Sequence, residues 1–488
     1  MILGDLIKNL KYIQLIGNKN IEVSHLTIDS RKVKKCSMYG AIKGFNVDGH
    51  KFIKNAIESG ASLILCENID NIEKSEIKDV AILQVKNTRE ALATIAKNFY
   101  NNATKDINLI GVTGTNGKTS TTYFLEQVLL EYKKTVGIIG TIEIRENGKK
   151  IDFDFATSTT PDTIELNELF SKMANNNVDN VVMEVSSHAL ELHKVDECNF
   201  NIGIFTNLTQ DHLDMHKSME NYCNAKSKLF NMCKIGIINV DDKYAKEITK
   251  NASCKIFTYS IEKESDLQAI NIQYFMDKVT FDVKINDNIE SFILNIPGRF
   301  SVYNALGVIG ACLMQNIPID IIKQGIKSIK GVPGRIQTIP NDKGFNVIVD
   351  YAHTPDGLDN IIKAVREFTK GKVITIFGCG GDRDRKKRSI MGEISARLSD
   401  YTIVTSDNPR SEVPEAIIDE IELGIKPITS SYEKITGRRE AIYRGVYIAK
   451  PNDSIIIAGK GHEDYEIFAD RTIHFDDTEV AKEALEDL

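Results

Sequence analysis

None of the eight cysteines (36, 66, 198, 223, 233, 254, 312 and 379) stands in a CxxC spacing. That excludes a zinc ribbon and argues against a disulfide frame; the thiols read as scattered buried side chains of a reducing cytoplasm. No apolar run approaches the ~20 residues of a membrane-spanning helix, and the start MILGDLIKNLKYI is too charged for a signal peptide. A cytoplasmic chain without a membrane partner is therefore expected. Positive charge is not in excess either, since 61 Lys and Arg face 68 Asp and Glu for a formal net charge of −7. Broad attraction to nucleic acid is excluded, and any anionic substrate must be gripped by local basic groups. What is present is ordinary for a globular protein: 42% hydrophobic and 26% charged residues. A length of 488 residues is too great for one core and suggests about three domains.

The chain is organised around residues 111–120, GVTGTNGKTS. The apolar run at 107–112 predicts a buried strand before it. After it, Phe124, Leu125, Val128 and Leu129 recur at helical spacing within 121–132. Strand, glycine-rich turn, Lys-Thr and helix form the layout of a phosphate-binding loop. Turn N–H groups over Gly114, Thr115, Asn116 and Gly117 and the positive helix end would face phosphates, Lys118 adds charge, and the Thr119 hydroxyl can hold Mg2+. Val112 stands where the strict pattern has glycine. A tight turn that merely needs glycines is the plainer alternative, but the full set in this context favours a nucleoside triphosphate.

Three α/β units are expected in order: a smaller one over 1–103, a central one over 104–331 and a third over 332–488. In the first, a glycine-rich loop spans 40–50. Asp29-Ser30-Arg31 follows a strand-like piece at 26–28. It could hold a diphosphate or ribose, though a turn with an exposed ion pair is the leading reading. The central unit offers strands at 135–139, 180–184, 202–206, 236–240 and 255–259 with helical stretches between most of them. That pattern predicts a mainly parallel sheet with helices on both faces. Alternation over 268–296 predicts an antiparallel edge, and Gly331-Val332-Pro333-Gly334 is a natural linker. The third unit repeats one design three times. Apolar strands at 373–377, 402–405 and 454–458 each feed a polar loop: GCGGDRDR, SDNPR and GKGHED. Loops at strand carboxyl ends in an open parallel sheet make a second, Rossmann-like site.

Glu184 ends an apolar strand, where a Mg2+ ligand of a phosphate-loop domain sits; an isolated, partly exposed acid is the alternative. Asp211 and His212 follow the next strand on the same side of the sheet. Lys226, by its spacing, is a surface lysine on a helix. Arg335 follows the Pro-Gly hinge and Asp350 follows a strand. From there an Arg can reach a nucleotide on the neighbouring unit and neutralise developing γ-phosphate charge.

Several motifs now agree: TGTNGKT (113–119), TTPD (159–162), MEVSSHAL (183–190), NLTQDHLD (207–214), AKS (225–227), PGR (333–335), DYAHTPDGL (350–358), GCGGDRDRKKR (378–388), DNPR (407–410) and GKGHEDYE (459–466). Together the chain resembles the Mur ligases, ATP-dependent amino-acid-adding enzymes of peptidoglycan synthesis, and among them the tripeptide synthetases. The resemblance implies that ATP phosphorylates the D-glutamate carboxylate of UDP-N-acetylmuramoyl-L-alanyl-D-glutamate, and that an amine then attacks the acyl phosphate. It implies Mg2+ on Thr119 and Glu184 with His212 nearby, and a CO2-derived carbamate on Lys226. ATP contacts fall to Asn304, Arg335 and Asp350, beside the phosphate loop. Ser30, Thr159, Thr160, Ser186 and Lys194 go to the UDP-sugar peptide, Lys194 standing where Arg is frequent and Leu192 where some members have Gln. Lys118, Lys226, His212 and Arg335 become the catalytic set. DNPR in that family accompanies meso-2,6-diaminopimelate. Arg383 and Arg410 would fork onto its distal carboxylate, with Asp407, Asn408, Pro409, Gly459 and Glu463 completing the pocket. A folylpolyglutamate synthase shares the phosphate loop but not DNPR or GKGHEDYE, and MurF, which adds a dipeptide, should lack DNPR. A P-loop ATPase would hydrolyse ATP without any amino acid.

Overall fold

The computed structural model describes residues 1–44, 47–70, 72, 80–153, 159–275, 277–286 and 288–488. Phe45 and Asn46 of the loop at 40–50 lie outside the described residues. Among those described, three large sheets follow one another along the chain, with a two-stranded ribbon of Tyr465–Ile467 and Thr472–His474 near its end.

The first has the order Gln14–Gly17, Ala81–Gln84, Ala61–Cys66, Ser37–Gly40, His25–Thr27, with only the Gln14–Gly17 edge antiparallel. Helix Thr88–Phe99, N-capped by Asn87, buries Ala91, Leu92, Ile95 and Ala96 at the spacing of one helix face.

The central sheet has eleven strands among the described residues. Its parallel heart runs Val136–Ile139, Asn180–Glu184, Asn108–Thr113, Phe200–Phe205, Cys233–Asn239, Lys255–Ser260, Leu267–Tyr274. The four central strands Val136–Ile139, Asn180–Glu184, Asn108–Thr113 and Phe200–Phe205 are buried on both faces, so they read as largely apolar runs. Along Asn108–Thr113, Ile110 and Val112 enter the core that holds Phe124, Leu125, Val128 and Leu129, whereas Leu109 enters the opposite core with Phe170 and Met173. The predicted antiparallel edge is present as Leu267–Tyr274, Val279–Ile285 and Asn288–Leu294. Glu184 and the phosphate loop thus leave neighbouring strands at the same sheet end.

The third sheet runs Gln337–Ile339, Asn346–Asp350, Ser454–Ala458, Val373–Phe377, Tyr401–Val404, Tyr432–Lys434, parallel except at its first edge. The three strands with polar loops are therefore adjacent, and their loops gather at one end. Beneath them Arg438 and Asp477, both with fully buried side chains, form a bidentate pair at 2.6 and 2.7 Å. Arg438 also donates to the carbonyls of Ser406, which begins one of those loops, and Ala458, which ends the strand before another. Arg438→Met would leave Asp477 buried without its partner, and a loss of about 3–5 kcal/mol in unfolding free energy is expected. Denaturant or thermal unfolding checks it; an unchanged midpoint would refute the structural role. No helix among the described residues is long and apolar enough to cross a membrane.

Candidate active site

The phosphate loop leaves the centre of the second sheet, and helix Lys118–Glu131 starts at Gly117, whose φ of 85° belongs to the left-handed region. A side chain there would also collide with Asn304, whose Oδ1 faces it. Asn304, buried on helix Arg299–Leu313, accepts from the Thr121 hydroxyl at 3.5 Å. Thr119 and Glu184, both expected at Mg2+, lie side by side: the Thr119 hydroxyl donates to Glu184 Oε1 at 2.9 Å. Thr141, which nothing in its sequence surroundings singled out, completes the group. Its N–H and its hydroxyl each donate to the Glu184 carboxylate at 3.0 Å. Glu184 is buried, so the partly exposed alternative is set aside.

Two details differ from expectation. The N–H groups of Thr115 and Asn116 do not face open space for a phosphate. They donate to the carbonyl and the side-chain oxygen of Asn207, both at 2.9 Å. The loop is tied to the neighbouring NLTQD segment, and the free ends of helix N–H groups begin with Lys118 and Thr119. Lys226 is not a surface lysine. It lies buried, and its Nζ donates to the Gly114 carbonyl at 2.8 Å, the same oxygen that Lys118 Nζ reaches at 2.9 Å. Burial, and then the Lys118 charge, push Lys226 well below the usual lysine range. Lys118 is lowered too, again by burial first. The spacing of Lys226 on its helix could not reveal this, because the covering surface comes from strands far away in sequence.

His212, itself in the left-handed region with φ 53°, sets its ring edge-on against His188 at 4.7 Å and pairs Nε2 with Asp211 at 3.3 Å. Burial lowers its pKa to about 4 against the opposing pull of Asp211, which keeps the ring neutral. The residues expected at the sugar peptide lie beside Glu184. With the Thr141 proton on Glu184, the Thr159 hydroxyl is placed to donate to Thr141 Oγ1 at 3.1 Å, Thr160 donates to the Glu184 carbonyl at 3.0 Å, and Ser186 caps the helix Ser187–Glu191. Lys194 is buried and committed to Asp162 at 2.8 Å. Ser30 stands apart, at the start of a short turn where Arg31, well exposed, pairs with Asp29 at 2.8 Å.

The third unit closes on the loop. Arg335 Nη2 is 3.5 Å from the Thr119 hydroxyl, with its guanidinium 4.3 Å from the centre of the Tyr351 ring. Asn116 Nδ2 donates to Asp356 at 2.5 Å, from the first turn of helix Pro355–Arg366. Asp350 was expected to contact ATP; here both of its oxygens accept backbone N–H groups, from Ile336 and Ala352, at 2.8 Å.

The second cluster lies at the gathered loops. Arg410, with φ 52°, donates from Nη1 to the carbonyls of Gly381 at 2.9 Å and Asn408 at 3.4 Å. A Cβ built on Gly380 would lie 2.8 Å from Arg410 Nη1 and 3.8 Å from Arg383 Cγ, so the two arginines flank one glycine; Arg383 is exposed. The Pro409 carbonyl crowds Gly381 in the same way, and Asp407 crowds Gly459. Asn408 donates to Glu463 at 2.9 Å and accepts from Lys460 at 3.0 Å. Lys460 is fully buried, 3.6 Å from Asp407, and sequence reasoning passed over it. Burial works to raise the Asp407 carboxyl, but Lys460 and Arg438 outweigh it and hold it below the usual range. Glu463 has no such excess of cations, and burial raises it. The pocket therefore mixes fixed negative charge with guanidinium groups, which suits a zwitterion.

Comparison with known proteins agrees with this arrangement. Three family profiles match in order: "Mur ligase family, catalytic domain" over 22–100, "Mur ligase middle domain" over 112–312, and "Mur ligase, glutamate ligase domain" over 334–461. The chain is 48% identical to the UDP-N-acetylmuramoyl-L-alanyl-D-glutamate–2,6-diaminopimelate ligase of Clostridium tetani, covering 100% of both chains. With the protein of that name from Clostridioides difficile the identity is 46%, over 99% of each. A solved structure of a ligase with the same name aligns with a TM-score of 0.71 at 26% identity, covering 100% of this chain and 99% of that one. A MurF ligase from Thermotoga maritima in complex with ADP aligns at 0.63 and 18% identity over 95% of this chain and 97% of its own, a likeness of fold.

Proposed function

The chain belongs to the Mur ligase family, and on that premise we propose that it joins meso-2,6-diaminopimelate to UDP-N-acetylmuramoyl-L-alanyl-D-glutamate at the expense of ATP, making a peptidoglycan precursor in the cytoplasm. The observation that carries this reading is the meeting of two clusters across one hinge. A phosphate loop lies on the second unit, a zwitterion pocket on the third, and Arg335 spans 3.5 Å to Thr119 between them. The first unit, 1–103, would carry the uridine end, the second, 104–331, ATP, and the third, 332–488, the amino acid.

The D-glutamate carboxylate attacks the γ-phosphorus of ATP and ADP leaves, giving an acyl phosphate. The diaminopimelate amine, as its free base, adds to the acyl carbon. The tetrahedral intermediate collapses with loss of inorganic phosphate and a proton. Negative charge crowds both steps, so fixed cations matter most. Lys118 lies along the loop to meet the β- and γ-phosphates, and Arg335 approaches from the opposite side. Asn304 keeps Gly117 side-chain free, so the backbone can approach the nucleotide closely. Thr160 and Ser186, beside Glu184, hold the peptide end of the acceptor near the γ-phosphate. His212, neutral, can accept a proton or a hydrogen bond there.

The donors present fit Mg2+. Glu184 and Thr119 offer hard oxygen atoms 2.9 Å apart in a buried corner. When bound, the ion would neutralise phosphate charge. Lys226 is no oxygen ligand as it stands, but burial and Lys118 shift it toward the free amine, the form that adds CO2, and a carbamate there would supply oxygens that suit the same ion.

Phosphate release measured with each substrate omitted in turn tests the reading. Release is expected only with UDP-precursor, ATP and diaminopimelate together, at least about tenfold above any omission. Steady hydrolysis of ATP alone would favour a simple ATPase instead.

A further inference from the structure

Arg383 and Arg410 stand in different loops, so their separation depends on how those loops are tied together. Arg383 is exposed and, among the described residues, forms no hydrogen bond or ion pair; the backbone of its loop alone decides where it points. The residue before it, Asp382, and Arg410 itself both adopt left-handed backbone, at φ 54° and 52°. Neither is a glycine, so each needs partners to stay there. The partners are reciprocal. The Asp382 N–H donates to Glu412 Oε1 at 2.6 Å, while the Asp382 carboxylate accepts from the Ser411 hydroxyl at 2.6 Å and the Ser411 N–H at 3.2 Å. The residue before one arginine is thus fastened to the two residues after the other.

Beneath this clasp lies Arg388, in the first turn of helix Lys386–Leu398, with a side chain only 1% exposed. Its Nη2 and Nη1 donate to the two oxygens of Glu412 at 2.8 and 2.9 Å, and Nη1 also reaches Glu420 at 2.9 Å. Glu420, on helix Pro414–Ile425, pairs with Arg385 as well. The two helices are locked together: a side chain on Gly392 would strike the Ile421 carbonyl, and one on Gly424 the Ser389 carbonyl. Helices pressed backbone to backbone give each loop a fixed base. Packing alone does not call for a guanidinium here. Arg388 Nε stays buried without a partner, and an apolar side chain would fill the space without that orphan donor. What the guanidinium adds is a hold on Glu412, the acid that reaches up to the Asp382 N–H.

We propose that Glu412, held by Arg388, is a positioning residue for amino-acid selection: it clasps the two loops so that Arg383 converges with Arg410 on one carboxylate, and it does not itself touch the amino acid. The inference deepens the diaminopimelate reading and rests on the selecting role given there to the two arginines. Arg410 keeps bonds of its own to the carbonyls of Asn408 and Ile467, whereas Arg383 depends on the clasp. Without Glu412 the Arg383 loop slackens, and a distal carboxylate meets one guanidinium in place of two. Lysine, which has no distal carboxylate, loses nothing.

The test compares full-length wild type, Glu412→Ala, Ser411→Ala, Arg383→Ala and the pair Glu412→Ala with Arg383→Ala. Ligation kinetics are measured with diaminopimelate and with lysine, and hydrogen exchange is followed at the backbone amides of 379–385. Glu412→Ala is expected to lower kcat/KM for diaminopimelate about 10- to 100-fold, with lysine ligation and the KM for ATP within about threefold of wild type. Its amides over 379–385 should exchange at least about tenfold faster. Ser411→Ala, which loses one hydroxyl, is expected to cost about three- to tenfold in the same direction. In the Arg383→Ala background, Glu412→Ala is expected to cost less than about threefold, because the side chain it positions is gone. An equal loss for both amino acids, a loss that persists without Arg383, or unchanged exchange would overturn the inference. If Glu412→Ala does not fold, Ser411→Ala decides: faster exchange with a reduced preference supports the clasp, and no change in either overturns it. Wild-type protein that ligates neither amino acid, or prefers lysine, would sink the proposed function instead, and hydrogen exchange in the two variants would still decide the clasp.

Discussion

Lys226→Ala is expected to cost about 10^2- to 10^3-fold in kcat for diaminopimelate ligation, the scale of losing one preorganised charge from a water-poor site. Among the described residues Lys226 forms no ion pair with a carboxylate; its Nζ donates to the Gly114 carbonyl beside Lys118. Two ammonium groups on one carbonyl is a poor arrangement for two charges, and burial together with Lys118 favours the neutral amine. A neutral amine adds CO2: the nitrogen lone pair forms the N–C bond, a proton leaves, and a carbamate anion replaces a cation. With a carbamate on Lys226, repulsion from Lys118 would become attraction. The sign with pH follows from the lowered lysine value. The amine is uncharged down to a lower pH than an ordinary lysine, and acidification through that value protonates it and blocks carbamate formation. Ligation by wild-type protein should therefore fall when CO2 is stripped from the buffer at the acid end of the range and return with bicarbonate. A carbamate signal in 13C NMR of protein equilibrated with labelled bicarbonate should be lost in Lys226→Ala. Full activity of Lys226→Ala would remove the lysine from the reaction.

Arg410→Ala carries the second large effect. Arg410 adopts a left-handed backbone, fixed by its N–H on the Ile467 carbonyl at 3.0 Å, and Nη1 is held by Gly381 and Asn408. The guanidinium plane is thus set before any ligand arrives, at a fork geometry that lysine could not reproduce. Truncating one partner of such a charge pair costs about 2–4 kcal/mol, or about 30- to 10^3-fold in kcat/KM for diaminopimelate. Lysine lacks the distal carboxylate, so its own slow ligation should change little and the preference should collapse by the same factor. Competition between the two amino acids measures it. Retention of the full preference in Arg410→Ala would assign selection to another group, with Arg383 the next to test.

Much of this site could be read directly from the chain. The phosphate loop announces itself because its parts are consecutive: an apolar strand, glycines where the turn demands them, and a helix whose Phe124, Leu125, Val128 and Leu129 all proved buried. Glu184 and Thr119 could be paired in advance because Glu184 and the phosphate loop that leads to Thr119 leave strand ends on one side of a parallel sheet. The three strand-and-loop units at 373–385, 402–410 and 454–464 could be grouped for the same reason, and the sheet does set their strands side by side. Element ends were less legible: Phe200–Phe205 begins two residues before the apolar run suggested, since Phe200 packs under the sheet.

What the sequence determined alone, then, is whatever depends on neighbours along the chain: periodicity, turn chemistry, the order of the three units and the residue types each loop presents. Tertiary structure decided which charges are buried and what they face. Lys226 looks like a surface lysine by spacing, and Lys460 drew no attention in its loop; both are buried, covered by segments remote in sequence. Thr141 binds Glu184 only because their strands are adjacent in the sheet, and Asp350 accepts the Ile336 N–H across the turn at the hinge. The physical reason is the same in each case. A charge is tolerated or perturbed according to the solvent and partners around it, and those come from segments whose distance in sequence carries no periodic signal. The phosphate loop could be read in the sequence; the lysine beside it had to be seen in the fold.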